Sequence, residues 1–344
     1  MRPAVFAGAA LAIALGCSHH ASETGGDGDA ATGGHGDAAT GSGGGRDASA
    51  TGDAGSGSAS SICGTRTDRR GKTSRTIEAA GLSRTYIVYL PTAIDPATPI
   101  PLVYVFHGYT MSGENMYDIT GYPALADADQ VALAFPDGQG GPNSALAPWN
   151  VGSNVCPADG IPPPDATGDD FAFIDAMRAD IEEDQCIDAA HVFVSGFSMG
   201  GYFAHHAGCE RPDLAAVAPH SGGTHDLSAC PSAKKPIIIF HGTADPVVPE
   251  ACDDPAGTPI AGHEASATAW AAHNGCAATF TTQTVDNGTC DVYDGCPAGG
   301  QVELCTLTNM GHCWAGGGSG SIYACPGYAS ATDLQWQFFK TYAW

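Results

Sequence analysis

The chain has 344 residues, 43% of them hydrophobic, enough for a sizeable buried core in one large domain or two small ones. Its formal net charge is -24, and lysine plus arginine total only 13. A surface of that sign repels phosphate backbones, which excludes nucleic-acid binding as a main role.

The chain opens as an export signal. Arg2 supplies a minimal positive region, and Ala4 to Leu15 form an apolar run too short to span a bilayer. The run ends in Ala14-Leu15-Gly16-Cys17, which resembles a bacterial lipobox with Cys17 as the lipidated residue. The expectation is a cell-surface lipoprotein, with ordinary secretion as the alternative. Residues 18 to about 62 are mostly Gly, Ala, Ser, Thr and Asp, with a near-repeat, GGDGDAAT and GGHGDAAT. Both copies carry Ala where a calcium-binding glycine-aspartate repeat needs Asp. With so little apolar area to bury, the segment reads as a flexible tether.

The globular domain is expected over 63–344. Strand-like runs are Tyr86–Leu90, Leu102–Phe106, Val131–Phe135, His191–Gly196, Ile237–Phe240 and Gln301–Leu307. Helical patterns lie between and after them, at Phe171–Glu183, Tyr202–Cys209, Glu264–His273 and Asp333–Tyr342. In the first, Phe171, Ile174, Met177 and Ile181 share a face, and Asp169 or Asp170 could cap the start. Apolar strands alternating with helices predict a mostly parallel central sheet covered on both faces.

Cysteine is abundant, with 13 in all. Setting Cys17 aside leaves an even set, which in an exported chain predicts up to six disulfides. Candidate short-range pairs are Cys290 with Cys296 or Cys305, and Cys313 with Cys325. No CxxC pair occurs, so a thiolate zinc site is not expected, nor any other metal or cofactor.

The strand His191–Gly196 runs into Gly196-Phe197-Ser198-Met199-Gly200 and then into the helix beginning near Tyr202. A GxSxG pentapeptide on a strand, turn and helix is a nucleophile elbow, with Ser198 at its tip. A serine nucleophile needs a base and an orienting acid, in the order Ser, acid, His for this arrangement. Asp245 follows the strand Ile237–Phe240, with Glu250 and Asp253 as weaker candidates. His312 lies in a turn-rich loop after the last strand. His263 and His273 lie in or beside a helix and read as solvated. Oxyanion donors are expected at the amides of Met199, after the nucleophile, and Tyr109, in the loop after Leu102–Phe106. His107 reads as structural, and His205 and His206 as packing or solvated. His220 and His241 could border the site.

The chain from about 84 to 344 resembles carbohydrate esterase family 1 and its relatives. That group mixes feruloyl esterases, acetylxylan esterases and poly(3-hydroxybutyrate) depolymerases, all α/β-hydrolases. The segments that carry the resemblance are YIVYLP, VYVFHGY, AFPDG with a later PWN, DDFAFIDAM, VFVSGFSMGGYFAHHAGCERPDLAAVAPHSG, FHGTADPVVP and GHCW. It gives Ser198, Asp245 and His312 the triad roles and implies that Trp149 lines the substrate cleft. It implies a monomeric ester hydrolase without cofactor, acting on feruloyl or acetyl esters of plant xylan. A polyester depolymerase is the first alternative, because Tyr109 and Met199 are similar to residues of bacterial polyester hydrolases. An inactive glycan-binding surface protein and a peptidase are the others.

Overall fold

The computed structural model describes residues 63–144, 146–151, 168–224, 227–248, 250–253 and 259–342. The expected signal, Cys17 and the tether all lie outside them, as does Cys156. Among the described residues no helix is long and apolar enough to cross a membrane.

In chain order the elements are β1 (Gly71–Ala79), β2 (Leu82–Leu90), β3 (Ile100–Phe106), α1 (Gly113–Ile119), α2 (Tyr122–Asp129), β4 (Ala132–Pro136), α3 (Asp170–Glu182), β5 (Ile187–Phe197) and α4 (Met199–Glu210). Then follow β6 (Ala216–His220), β7 (Ile237–Gly242), β8 (Ala251–Asp253), β9 (Pro259–Ala261), α5 (His263–Asn274), β10 (Phe280–Val285), β11 (Gly288–Tyr293), β12 (Val302–Leu307), β13 (Trp314–Ala315), β14 (Ala324–Cys325) and α6 (Ala331–Lys340). The main sheet runs β1-β2-β4-β3-β5-β6-β7-β12-β11-β10. Its middle, from β4 to β12, is parallel, and an antiparallel pair extends each end.

The central strands explain this order. Every residue of β3, β4, β6 and β7 is buried, as strands covered on both faces require. One face packs on α3, α4 and α5 through Phe173, Ile174, Phe203 and Trp270. The other packs on α1, α2 and α6 through Met116, Ile119, Tyr122, Trp336 and Phe339. The Asp169 side chain caps α3 by accepting the Ala172 N–H at 2.9 Å. Asp170 is instead buried against Arg84 at 2.9 Å. Phe173 takes the deep place on α3, while Phe171 is half-buried against Phe203 and His206.

Eight of these strands were not expected from the sequence pattern: β1, β6, β8, β9, β10, β11, β13 and β14. Two show why. β1, GKTSRTIEA, is polar because it is an edge strand; it is ordered by pairing with β2, by Ile77 and Ala79 packing on the core and by the buried Arg75 ion pairs with Asp180 and Asp184. β6, AVAPH, is short and contains Pro219, which cannot donate to a ladder. Burial between β5 and β7 makes it a strand nonetheless.

Among the described residues five disulfides form: Cys63–Cys186, Cys209–Cys230, Cys276–Cys296, Cys290–Cys305 and Cys313–Cys325. Cys290 faces Cys305 directly across the β11–β12 ladder, which settles its partner in favour of Cys305 over Cys296. The Cys-rich region extends the far end of the sheet, as β10 and β11.

Glu303 on β12 is a half-buried carboxyl, and desolvation pushes its pKa up to about 7. The folded state therefore holds this proton more tightly than the unfolded chain. Stability falls as pH rises between the unfolded value near 4.5 and about 7, and levels off above. Glu303→Gln is expected to gain on the order of 2 kcal/mol at pH 8, or about 4–8 °C in Tm, and far less at pH 5. Thermal denaturation at the two pH values measures it; an equal gain at both would remove the titration argument.

Candidate active site

β5 delivers the chain to Ser198 and α4 carries it away. Between them Ser198 adopts φ 56° and ψ -119°, a conformation that costs a non-glycine residue of order 1–3 kcal/mol. Two backbone bonds hold it there. The Ser198 N–H donates to His220 O at 2.9 Å, and the Tyr202 N–H donates to Ser198 O at 3.0 Å. The glycines around it are required by contact. A Cβ on Gly196 would strike the backbone of Gly200, and one on Gly200 would strike the carbonyl of Phe106.

Three chain segments then converge. Ser198 Oγ lies 2.8 Å from His312 Nε2, and His312 Nδ1 lies 2.7 Å from Asp245 Oδ2. The carboxylate only accepts, so Nδ1 carries the proton and Nε2 presents its lone pair to the serine hydroxyl. Asp245 Oδ1 is occupied separately, by the N–H groups of Val247 at 2.8 Å and Val248 at 3.0 Å. Burial alone would push the Asp245 carboxyl up. The hydrogen bond and charge of His312, with the Val248 N–H, outweigh it and hold the carboxyl below its usual value.

The loops that carry Asp245 and His312 are joined to each other. Ala244 N–H donates to Met310 O at 3.0 Å, and Asn309 N–H donates to Thr243 Oγ1 at 2.8 Å. Parallel pairing of β7 with β12 places both loops at the carboxyl ends of neighbouring strands. Cys313, next to His312, is tied to Cys325, and the His312 ring rests on Phe197 at 4.8 Å.

The turn after β3 faces the serine. A Cβ on Gly108 would come within 3.1 Å of Ser198 Cβ, so the backbone approaches closely there. The Tyr109 and Met199 amides donate to no acceptor among the described residues. The scaffold of this turn is His107. Its Nε2 accepts the Gly138 N–H at 2.8 Å, so its Nδ1–H is the donor to Gly108 O at 2.6 Å. Burial pushes the His107 pKa down to about 4, which keeps the ring neutral and this pattern intact.

Trp149 differs from expectation. Its indole is fully buried, so it does not line an open cleft. It packs on Phe106 and Phe203 and donates its Nε1–H to His107 O at 2.9 Å. An apolar ring with one polar tip finds its partner inside the loop, not in the substrate space. Beside it, Ala147 N–H donates to Tyr109 O at 3.0 Å.

The histidines that sequence alone left in the background are structural supports. His220 is buried between Phe240 and Trp314, accepts the Ala315 N–H at Nε2 and lies 3.0 Å from Ser221 Oγ at Nδ1. Burial first, then the neighbouring His241 and His312, keep it far below the usual histidine value. His241 Nε2 lies 2.9 Å from Val248 O, on the turn that carries Asp245. His263 is buried and not solvated: it stacks on His241 at 4.5 Å and pairs with Glu250. Glu250 is thereby committed elsewhere, and the Asp253 side chain lies outside the described residues. His273 is half-buried, its Nε2 2.8 Å from Ser232 O. His205 is buried and accepts the Trp270 indole N–H at 3.0 Å. His206 is half-buried beside Phe171, and burial lowers its pKa to about 4. Their tertiary neighbours, not their spacing, define these roles. Among the described residues no group of three or more His, Cys, Asp or Glu side chains is placed to hold a metal ion.

Comparison with known proteins agrees with this architecture. The profile of the dienelactone hydrolase family matches residues 165–267. Feruloyl esterase B of Piromyces equi is 31% identical over 240 residues, 67% of this chain but only 42% of that protein. Feruloyl esterase C of Emericella nidulans is 28% identical over 272 residues, 74% of this chain and 83% of the relative. A putative esterase of Nocardia uniformis subsp. tsuyamanensis, NocK, is 30% identical over 286 residues, 76% of this chain and 79% of the relative. Among solved structures, an acetyl xylan esterase from Aspergillus awamori superposes with a TM-score of 0.53 at 14% identity, covering 78% of this chain and 99% of that one. That likeness concerns the fold alone.

Proposed function

Because this chain belongs to the carbohydrate esterase family 1 type of α/β-hydrolase, we propose that it is a secreted serine carboxylic ester hydrolase acting on feruloyl or acetyl esters of plant cell-wall polysaccharide. One observation carries the reading: the continuous chain from Ser198 Oγ through His312 to Asp245, at 2.8 and 2.7 Å. The feruloyl esterases among the relatives support the substrate class.

His312 Nε2 takes the Ser198 proton as Oγ attacks the ester carbonyl. Asp245 keeps Nδ1 protonated and stabilises the imidazolium that forms. The developing oxyanion is received by the Tyr109 and Met199 amides. His312 then returns the proton to the departing alkoxide, which leaves as the alcohol. Water, deprotonated by the same nitrogen, attacks the acyl-enzyme, releases the acid and restores Ser198. The reaction balances with ester and water alone, so no cofactor is invoked. Trp149 and His107 serve by holding the Tyr109 turn in place. The disulfides support an oxidising compartment. Anchoring through Cys17 and a monomeric state are proposals from the sequence only.

The test is ferulate release from methyl ferulate and from feruloylated arabinoxylan by the purified protein, followed by chromatography. Turnover of both is expected. Turnover of 3-hydroxybutyrate oligomers with none of either feruloyl ester would transfer the reading to polyester. No ester turnover at all would favour a glycan-binding surface protein.

A further inference from the structure

In the β1–β2 register Thr76 lies opposite Thr85 and Ser74 opposite Ile87, so these four side chains share one face of the hairpin. Arg75 and Tyr86 leave on the other face, where both bond Asp180 of α3. Over the first face stand Glu114, at the start of α1, and the turn after β4, which carries Asp137 and Pro142. That turn lies close to β2: a Cβ on Gly141 would come within 3.6 Å of Thr85 Oγ1. Between these parts is an open cavity of about 280 Å³. It is smaller than the usual pocket for a drug-sized ligand and large enough for one sugar ring.

The charged groups of its wall are already partnered. Asp137 is buried, and its two oxygens accept the Gly113 N–H at 2.8 Å and the Thr85 hydroxyl at 2.9 Å. Glu114 Oε1 pairs with Lys72 at 2.6 Å. The carboxylates are thus compensated within the protein, and a chain of net charge -24 disfavours an anion. What stays open is neutral hydrogen-bonding capacity. Ser74 and Thr76 are exposed, and their hydroxyls make no hydrogen bond among the described residues. Each can both donate and accept. Ile87 and Pro142 add apolar surface beside them. A ring of hydroxyls with apolar C–H faces matches this lining. A purely apolar ring would leave the hydroxyls without partners.

The cavity lies at the same end of the sheet as Ser198 but apart from it. Gly138, next to Asp137, donates its N–H to His107 Nε2 at 2.8 Å, and His107 precedes the Gly108 whose backbone approaches Ser198. β2 and β1 stand three and four strands from β5 in the sheet. At about 4.8 Å per strand, the cavity is roughly 15–20 Å from the serine. A small ester bound at Ser198 does not reach it, whereas a polysaccharide chain does.

We propose that this cavity is a remote subsite for an unesterified sugar unit of the polysaccharide, held by the hydroxyls of Ser74 and Thr76. The choice of a sugar rests on the polysaccharide-ester reading above. Once the ester group of a chain sits at Ser198, contact with the cavity is intramolecular, so even a weak subsite raises the apparent affinity for the polymer.

The double variant Ser74→Ala/Thr76→Val removes both hydroxyls at exposed strand positions, and its Tm is expected to stay close to the parent's. Both proteins are titrated with unesterified xylo-oligosaccharides by calorimetry. Both are also assayed on methyl ferulate and on feruloylated arabinoxylan. The parent is expected to bind the oligosaccharide saturably, and the variant about tenfold more weakly. For arabinoxylan kcat/KM is expected to fall by about the same factor, through KM, with methyl ferulate turnover unchanged. No binding by the parent, or equal binding by the two proteins, would overturn the subsite and leave the esterase reading intact. An equal loss on both esters would also overturn it, since the substitutions would then act on the catalytic turn. A parent that binds oligosaccharide through these hydroxyls but cleaves no ester would keep the subsite and sink the esterase reading.

Discussion

Replacing Ser198 with alanine is expected to cut kcat for ester hydrolysis by roughly 10⁴- to 10⁶-fold, with little change in Tm. The loss is large because the three side chains act as one unit. Without Oγ, His312 has no hydroxyl to deprotonate, and the Tyr109 and Met199 amides can assist only direct attack by water. Tm should hold, because alanine at φ 56° bears nearly the strain that serine bears, and both backbone bonds of residue 198 remain. Progress curves with methyl ferulate and a melting scan measure the two quantities. An active Ser198→Ala protein would refute the nucleophile assignment; a collapsed Tm would mean that the activity loss says nothing about chemistry.

Asp245→Asn is the second large effect, an expected fall in kcat of about 10⁴-fold. The direction follows from the two oxygens of Asp245. Oδ1 is held by the Val247 and Val248 N–H groups, so an asparagine is expected to keep its oxygen there. Its amide nitrogen then faces His312 Nδ1 and donates to it. The imidazole proton moves to Nε2, the atom that must accept from Ser198, and the base is disabled without disturbing the loop. Glu250 cannot substitute, since it is engaged by His263 and by the Glu264 N–H. Steady-state kinetics beside a Tm measurement tests this. Retention of more than about a tenth of parental kcat would mean that another acid orients His312.

The elbow was legible because it is local. Gly196 and Gly200 are needed within five residues of each other, on a buried strand and at the start of a helix, so type and spacing suffice. Asp245 and His312 were legible one step less directly. Each follows a strand that joins the parallel sheet, and parallel strands bring their carboxyl ends together. Trp149 was misjudged because an aromatic residue near a site can face the substrate or brace the loop, and composition does not separate the two. His263 was misjudged for a similar reason: helical position says nothing about what packs on it, here His241.

By itself the amino-acid sequence determined the alternation of strand and helix, the serine turn and the chain order in which Ser198, Asp245 and His312 follow their strands. These depend on periodicity, on steric needs of a few adjacent residues and on chain direction. Tertiary structure alone decided the cysteine partners, the burial of Trp149 against His107, and the strand character of β1 and β6. Each depends on groups distant along the chain meeting across the sheet, and contact energies of that kind leave no local period to read.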